Sequence, residues 1–367
     1  MLCRKISVEN FRNISSASVS FSEGTNILIG DNAQGKTNLL EAIYMTALGK
    51  SFRGGDKDII QFDKEFCNIK NNYSDQNRDM EINMRLFSDR RAKIVEQNNI
   101  RVARTSDMVG GFKIVMFCPE HLSIIKDGPA IRRSFLDVAI SQIRPMYLKA
   151  LQRYQNILKQ RNSLIKNAEE DRESFSSMID LFSEQLADVA AVITTYRVKY
   201  IERLRKYVSS CFCDMMGDRE IPTVEYIASC KLTEEECHDT EKCKAAYLSL
   251  YSSHHDREIG AGATLWGIHK DDIEIYINGN SARFFASQGQ QRSLSLALKL
   301  AEGEIIKEEC GEYPVFLFDD VLSELDAGRR EYLLSNIKDK QVIMTCCEKG
   351  DIVADKLIHV KDGVFSW

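Results

Sequence analysis

Two glycines, a lysine and a threonine at fixed spacing make the strongest chemical statement in the chain. Gly30, Asp31, Asn32, Ala33, Gln34, Gly35, Lys36 and Thr37 fill the pattern G-x-x-x-x-G-K-[ST] without exception. Glycines at both ends of such a loop let backbone N–H groups converge on phosphate oxygens, and a helix starting at the lysine adds the positive end of its dipole. Lys36 then neutralises the β and γ phosphates of a nucleoside triphosphate, and the Thr37 hydroxyl has the right reach for Mg²⁺. The flanks suit this chemistry. Thr25 to Ile29 runs apolar into Gly30, and Leu39, Leu40, Ile43, Tyr44 and Ala47 recur at helical spacing as far as Gly49. The pattern predicts strand, loop and helix in that order.

Much further along, Val315, Phe316, Leu317 and Phe318 precede Asp319 and Asp320. A buried strand of this kind delivers carboxylates to its carboxyl end. Asp319 is the expected Mg²⁺ partner, through water. Asp320 is the expected catalytic base, placed to orient or deprotonate an attacking water, with Lys36 as the other catalytic residue. Two acids after an apolar strand also open ordinary turns, so this reading draws its force from the phosphate loop. Between the two motifs, Ser287, Gln288, Gly289, Gln290, Gln291 and Arg292 open a long helix. A serine N-cap followed by glycine lets backbone approach an anion, so this helix start is a candidate for a second phosphate contact. A capped, solvated helix is the plainer alternative.

These residues need a scaffold, and 367 residues exceed the size at which one core usually stops growing, so two structural units are expected. No apolar run reaches the roughly 20 residues of a membrane span, and residues 1–9 alternate instead of forming a signal peptide, so a soluble, cytoplasmic protein is expected. Eleven cysteines, odd in number and irregular in spacing, suit reduced thiols. Cys230, Cys237, His238 and Cys243 are the one cluster with conceivable metal ligands, without the paired spacing of zinc sites. A net charge of −5 hides a basic stretch: from Lys126 to Lys166 nine basic residues face two acids. Arg132, Arg133, Arg144, Lys149 and Arg153 are the candidate DNA contacts there, salt-dependent and blind to base sequence. A solvated helix surface is the alternative for each one singly.

Short strands are predicted up to about Phe117, helices from beyond Pro119 to about Tyr207, and strands again at Thr223 to Ala228, Ala263 to Ile268 and Asp272 to Ile277. The helix from Gln288 to Cys310 precedes the strand Val315 to Phe318, and short strands follow at Val342, Lys356 and Val364.

Taken together, these motifs resemble the RecF family of bacterial recombinational repair, relatives of the SMC and ABC ATPases. Family-like marks accompany them: Asn10 to Asn13, Lys50 to Arg53, Phe117 to Leu122, Arg132 to Asp137, Gly267 to Asp272, and Phe318 to Asp326. The resemblance implies an α/β fold: an ABC/SMC-like P-loop ATPase head formed by residues 1–120 and 256–367, with a mainly helical arm inserted over 121–255. It implies ATP and Mg²⁺ as cofactors and head-to-tail dimerisation driven by ATP, with Ser287, Gly289 and Gln290 reaching the γ phosphate held by the partner's Lys36. Asp326 would lie in the loop crossing that interface, and Arg12 would touch nucleotide. Slow hydrolysis would release a clamp from DNA, with RecR- and RecO-type mediators as partners. The chain departs from the family at Ile268 and Lys270, at Phe52, and at Thr345, Cys346 and Cys347, where transporter ATPases place a switch histidine. A transporter subunit would share the motifs but not so long and basic a helical insert. A nuclease-coupled ATPase would need a further module, and a non-hydrolysing scaffold would not need Asp320.

Overall fold

The computed structural model describes residues 1–89, 91–217, 219–348 and 352–367, without the side chains of Leu122 and Ser123. The chain divides into two compact units, one of Met1–Ser123, Asp214–Gly217 and Arg292–Trp367, the other of Ile124–Cys213 and Asp218–Gln291. Among the described residues no helix is long and apolar enough to cross a membrane.

A six-stranded sheet organises the first unit. Its order is Val364–Ser366, Lys356–Lys361, Thr25–Ile29, Val342–Cys346, Val315–Asp319 and Ile114–Phe117, parallel throughout except for the first pair. Every residue of Val315–Asp319 and of Val342–Cys346 is buried. Central parallel strands are covered on both faces, which is why these segments read as continuous apolar runs instead of alternating ones. The helix Lys36–Leu48 is buried at eleven of its thirteen residues, Glu41 among them. A helix enclosed this fully belongs to a core and not to a surface. An antiparallel sheet of order Ile14–Ser20, Leu2–Phe11, Phe66–Ser74, Asp79–Phe87, Ile94–Gln97, Ile100–Arg101 completes the unit. Burial alternates along Phe66–Ser74 and Asp79–Phe87, the mark of a sheet with one face on the core.

The second unit has the helices Pro129–Ile143, Pro145–Lys166 and most of Arg172–Met216. Pro145 separates the first two, since proline is accepted at the first turn of a helix but not within one. A three-stranded antiparallel sheet joins Asn280–Ser281, Asp272–Ile277 and Pro222–Ile227. This pairing moves the sequence-based boundary at residue 255: residues 256–291 belong with the helices, and the first unit resumes at Arg292. The expected strand Ala263 to Ile268 does not form. Its amides donate to side chains instead, Thr264 N to Asn162 Oδ1 at 2.8 Å, Leu265 N to Glu258 Oε1 at 3.0 Å and Gly267 N to Ser229 Oγ at 2.9 Å.

Buried arginines tie the second unit together. Arg161, fully buried, meets Glu258 Oε2 at 2.6 Å and also donates to Ser183 and Thr264. Arg197 pairs with Asp137 at 2.8 Å and donates to Ile268 O. Arg132 forms a two-pronged pair with Asp272, both contacts at 2.8 Å. Charges so enclosed depend on their partners for the solvation that water no longer gives, and removing one partner costs about 3–5 kcal/mol. Arg161→Met should therefore lower the unfolding free energy by about that amount in denaturant titration, while Arg161→Met with Glu258→Met should recover most of it. Equal losses in the single and double variants would show that the pair is not what holds this region.

Candidate nucleotide site

Three parallel strands end at one place. Thr25–Ile29 delivers the glycine loop, Val315–Asp319 delivers two carboxylates, and between them Val342–Cys346 pairs Thr345 with Asp319 and Cys346 with Ile29. Ligands of open α/β sheets gather at such carboxyl ends. Two glycines shape the loop. A Cβ on Gly30 would stand 2.2 Å from Val360 O, and Gly35 has φ 111°, a left-handed conformation that costs other residues strain. Loop and sheet are further joined by Asp362 N to Gln34 Oε1 at 2.6 Å and Gly363 N to Gln34 O at 2.9 Å.

The loop encloses a cleft of ≈ 340 Å³, within the range of small-ligand sites. Asn32, Ala33, Gln34, Gly35, Lys36 and Thr37 line it with Asp319, Asp320 and Thr345. Lys36 Nζ donates to the carbonyls of Gly30 and Asp31 and lies 3.8 Å from Cys347 Sγ. The ammonium is thus already held inside the loop, in place for phosphate. Gly30 and Asp31 shape the loop through these carbonyls.

Thr37 Oγ1 donates to Asp319 Oδ1 at 2.7 Å, and Thr345 Oγ1 donates to the same oxygen at 2.9 Å while accepting from Asp320 N at 2.9 Å. Asp319 Oδ2 has no hydrogen-bond partner among the described residues. Burial pushes the Asp319 carboxyl up from its usual range, against the two hydroxyls that favour the charged form. A nearby cation would restore that form, and an all-oxygen pair of threonine and aspartate suits Mg²⁺. Asp320 has φ 50°, the left-handed turn by which the chain leaves the strand and carries its carboxylate to the cleft wall.

Further residues complete the cleft that no role was assigned from the sequence. Glu120 follows the strand Ile114–Phe117 and brings a third carboxylate, and Arg53 brings a second cation. Both stand inside family-like segments, Phe117 to Leu122 and Lys50 to Arg53, and that likeness is the trace they leave in the sequence. Thr345 was legible only as a departure from a switch histidine, yet it links the two aspartates.

Ser287, Gln288, Gly289, Gln290 and Gln291 belong to the second unit. Gln290 N donates to Ser287 Oγ at 3.2 Å and Ser287 N donates to Gln290 Oε1 at 2.7 Å, a reciprocal capping box. Gln290 also donates to Glu220, and Gln291 to Ala286 O. Ser287 and Gln288 stay exposed. Asp326, in the first unit, caps the helix Ala327–Asn336 by accepting from Arg329 N at 2.9 Å.

The basic stretch separates into two groups. Arg132 is a correction: buried and paired with Asp272, it has no surface to offer DNA. Arg133 is half-buried, donating to Asp271 O at 2.8 Å. Arg144, Lys149 and Arg153 are exposed, the latter two one turn apart on Pro145–Lys166. Cys230, Cys237 and Cys243 are buried, and His238 accompanies Glu202 at 2.9 Å. Among the described residues no group of three or more His, Cys, Asp or Glu is arranged to hold a metal ion.

Comparison with known proteins agrees along the whole chain. The family described as RecF/RecN/SMC N terminal domain matches residues 2–363. A DNA replication and repair protein RecF of Oceanobacillus iheyensis is 37% identical over 371 residues, covering 99% of this chain and 100% of its own. The RecF of Staphylococcus carnosus is 39% identical, covering 98% and 97%. A solved structure of the recombination mediator protein RecF with ATP, described in the RecFOR pathway, is 34% identical with TM-score 0.93, covering 99% of this chain and 96% of that one. An Smc head bound to the C-winged helix domain of ScpA, 16% identical with TM-score 0.57, shares the fold. With a glycine loop, buried strand carboxylates and full-length similarity all in agreement, this chain belongs to the RecF family of DNA replication and repair proteins.

Proposed function

We propose that the chain is a cytoplasmic, ATP-dependent DNA-binding protein of recombinational repair and replication restart, whose ATP-driven homodimer closes on DNA and whose slow, DNA-stimulated hydrolysis reopens it. One observation carries this reading: the 2.7 Å hydrogen bond from Thr37 to Asp319, which puts the phosphate-loop hydroxyl and the strand carboxylate in one cleft. The ATP held by a close structural relative supports the choice of nucleotide. Thr37 and Asp319 would hold Mg²⁺, which supplies positive charge to the phosphate oxygens.

The chain's own residues account for the rest. Loop amides around Gly35 and the start of Lys36–Leu48 receive phosphate oxygens, and Lys36 exchanges its loop carbonyls for the β and γ phosphates. Asp320 takes the proton of the attacking water or orients it, with Thr345 holding its backbone. Ser287, Gly289 and Gln290 close on the γ phosphate of a second copy, and Asp326 meets the same interface, so both sites of a twofold dimer bury together. Exposed Arg144, Lys149 and Arg153 meet DNA phosphates, and RecR- and RecO-type mediators are the expected protein partners, in keeping with the RecFOR pathway of the relative. The capping box of Ser287 and Gln290 favours a second reading, in which that helix start serves only its own helix.

Molar mass in solution separates the two. Wild type should double in mass with ATP, Lys36→Met should stay monomeric, and Asp320→Asn should stay doubled for longer, with hydrolysis reduced about a hundredfold or more. ATP binding without a change of mass would leave Ser287 to Gln291 as a helix cap and remove the clamp. On gapped duplex DNA, Lys149→Ala with Arg153→Ala should weaken binding and flatten the salt dependence by about two charges. An unchanged salt slope would place the DNA surface elsewhere.

A further inference from the structure

One carboxylate beside the cleft has a partner set far richer than a helix residue needs. Glu41 sits in the phosphate-loop helix with no solvent exposure. Arg12 grips both its oxygens, Nη2 to Oε1 at 2.7 Å and Nε to Oε2. Arg53 Nη2 reaches Oε2 at 2.6 Å, and the Ser51 hydroxyl donates to Oε1. Burial works to raise the pKa of this carboxyl, but the hydrogen bonds of Arg12, Ser51 and Arg53 prevail and hold it below the usual range.

The network does not end at the glutamate. Arg53 Nη2 also donates to Asn38 Oδ1 at 2.6 Å, Asn38 Nδ2 donates to Asn13 Oδ1 at 2.7 Å, and Asn13 Nδ2 donates to Ala33 O at 3.2 Å. Ala33 lies in the phosphate loop at φ 63°. Arg12 Nη1 meanwhile donates to Asp58 O at 3.0 Å. Arg53 lines the cleft, and its Nε and Nη1 have no hydrogen-bond partner among the described residues. A guanidinium with one nitrogen fully engaged and the three N–H donors of the other two unused is oriented but unsatisfied, the state that suits an anion.

We propose that Glu41 is a positioning residue: its buried carboxylate holds Arg53 against the phosphate loop, together with Asn38 and Asn13, so that this cation is in place before nucleotide arrives. This rests on ATP binding in the cleft but not on dimerisation. The glutamate touches neither nucleotide nor the reacting atoms. It acts by removing the entropy and search that a free arginine would bring to each binding event.

Titrating ATP into the full chain tests this, with wild type, Glu41→Gln, Arg53→Gln and the double variant, and melting measured for each. Glu41→Gln and Arg53→Gln should each weaken ATP about tenfold, and the double variant should be no weaker than Arg53→Gln alone, because both changes remove one function. If the two losses multiply, Glu41 acts on folding or elsewhere and the proposal fails; unchanged affinity in Glu41→Gln also overturns it. Asn38→Ala guards against a poorly folded Glu41 variant. It leaves the buried pairs intact and cuts the relay, so it should weaken ATP with melting unchanged, and wild-type affinity there overturns the proposal as well. A wild-type chain that binds no ATP would instead overturn the nucleotide reading of the cleft, a result distinct from these.

Discussion

The 2.7 Å hydrogen bond between Thr37 and Asp319 is the contact on which the rest depends, because it joins residues 282 positions apart in the chain. Neither side chain finds the other by local preference. Thr37 is placed by the strand Thr25–Ile29 and a left-handed glycine, Asp319 by the strand Val315–Asp319, and Val342–Cys346 between them fixes the register. A slip of one residue in either pairing would turn Asp319 to the other face. The apolar side chains that bury those strands therefore also set the chemistry, and Thr345 reports the register directly by touching both aspartates' end of the neighbouring strand.

Much of this was legible because its causes are local. A strand, a glycine loop and a helix appear in the sequence as an apolar run, two glycines and a 3.6-residue stripe, and two acids after four apolar residues read as they fold. What was hidden depends on distant partners. Arg132 and Lys149 are alike as letters in a basic stretch, and the carboxylate that pairs with the buried first, Asp272, lies 140 positions away. The segment Ala263 to Ile268 has strand-like composition but loses its amides to Asn162, Glu258 and Ser229. The boundary at residue 255 moved because strand pairing with Pro222–Ile227 is invisible to periodicity. Glu41 did leave a trace, a lone acid inside an apolar helix, which composition averages away.

The two units solve the problem of buried charge in the same manner with different results. Arg161 and Glu258 close on each other and on neutral partners, so the pair is spent on structure. Glu41 holds two arginines that remain partly exposed, 22% for Arg12 and 32% for Arg53. An acid shared by two bases leaves that trio one positive charge in excess, and Arg53 carries it to the cleft wall. The ratio of partners, more than the burial itself, separates a strut from a site.

The turn at Asp362 and Gly363, which grips Gln34, has a consequence for biogenesis. Both sheet neighbours of Thr25–Ile29 are numbered above 340, and the clasp on the loop is later still. As the ribosome emits the chain from its amino end, the phosphate loop is made ahead of the helical insert but has no sheet neighbour to join until that insert has emerged. Such pairing has high contact order, and the loop-closure entropy falls due before any contact returns it. The second unit has most of its partners within its own span, whereas the nucleotide site cannot close until the strands that carry Asp319 and Thr345 have followed the phosphate loop out.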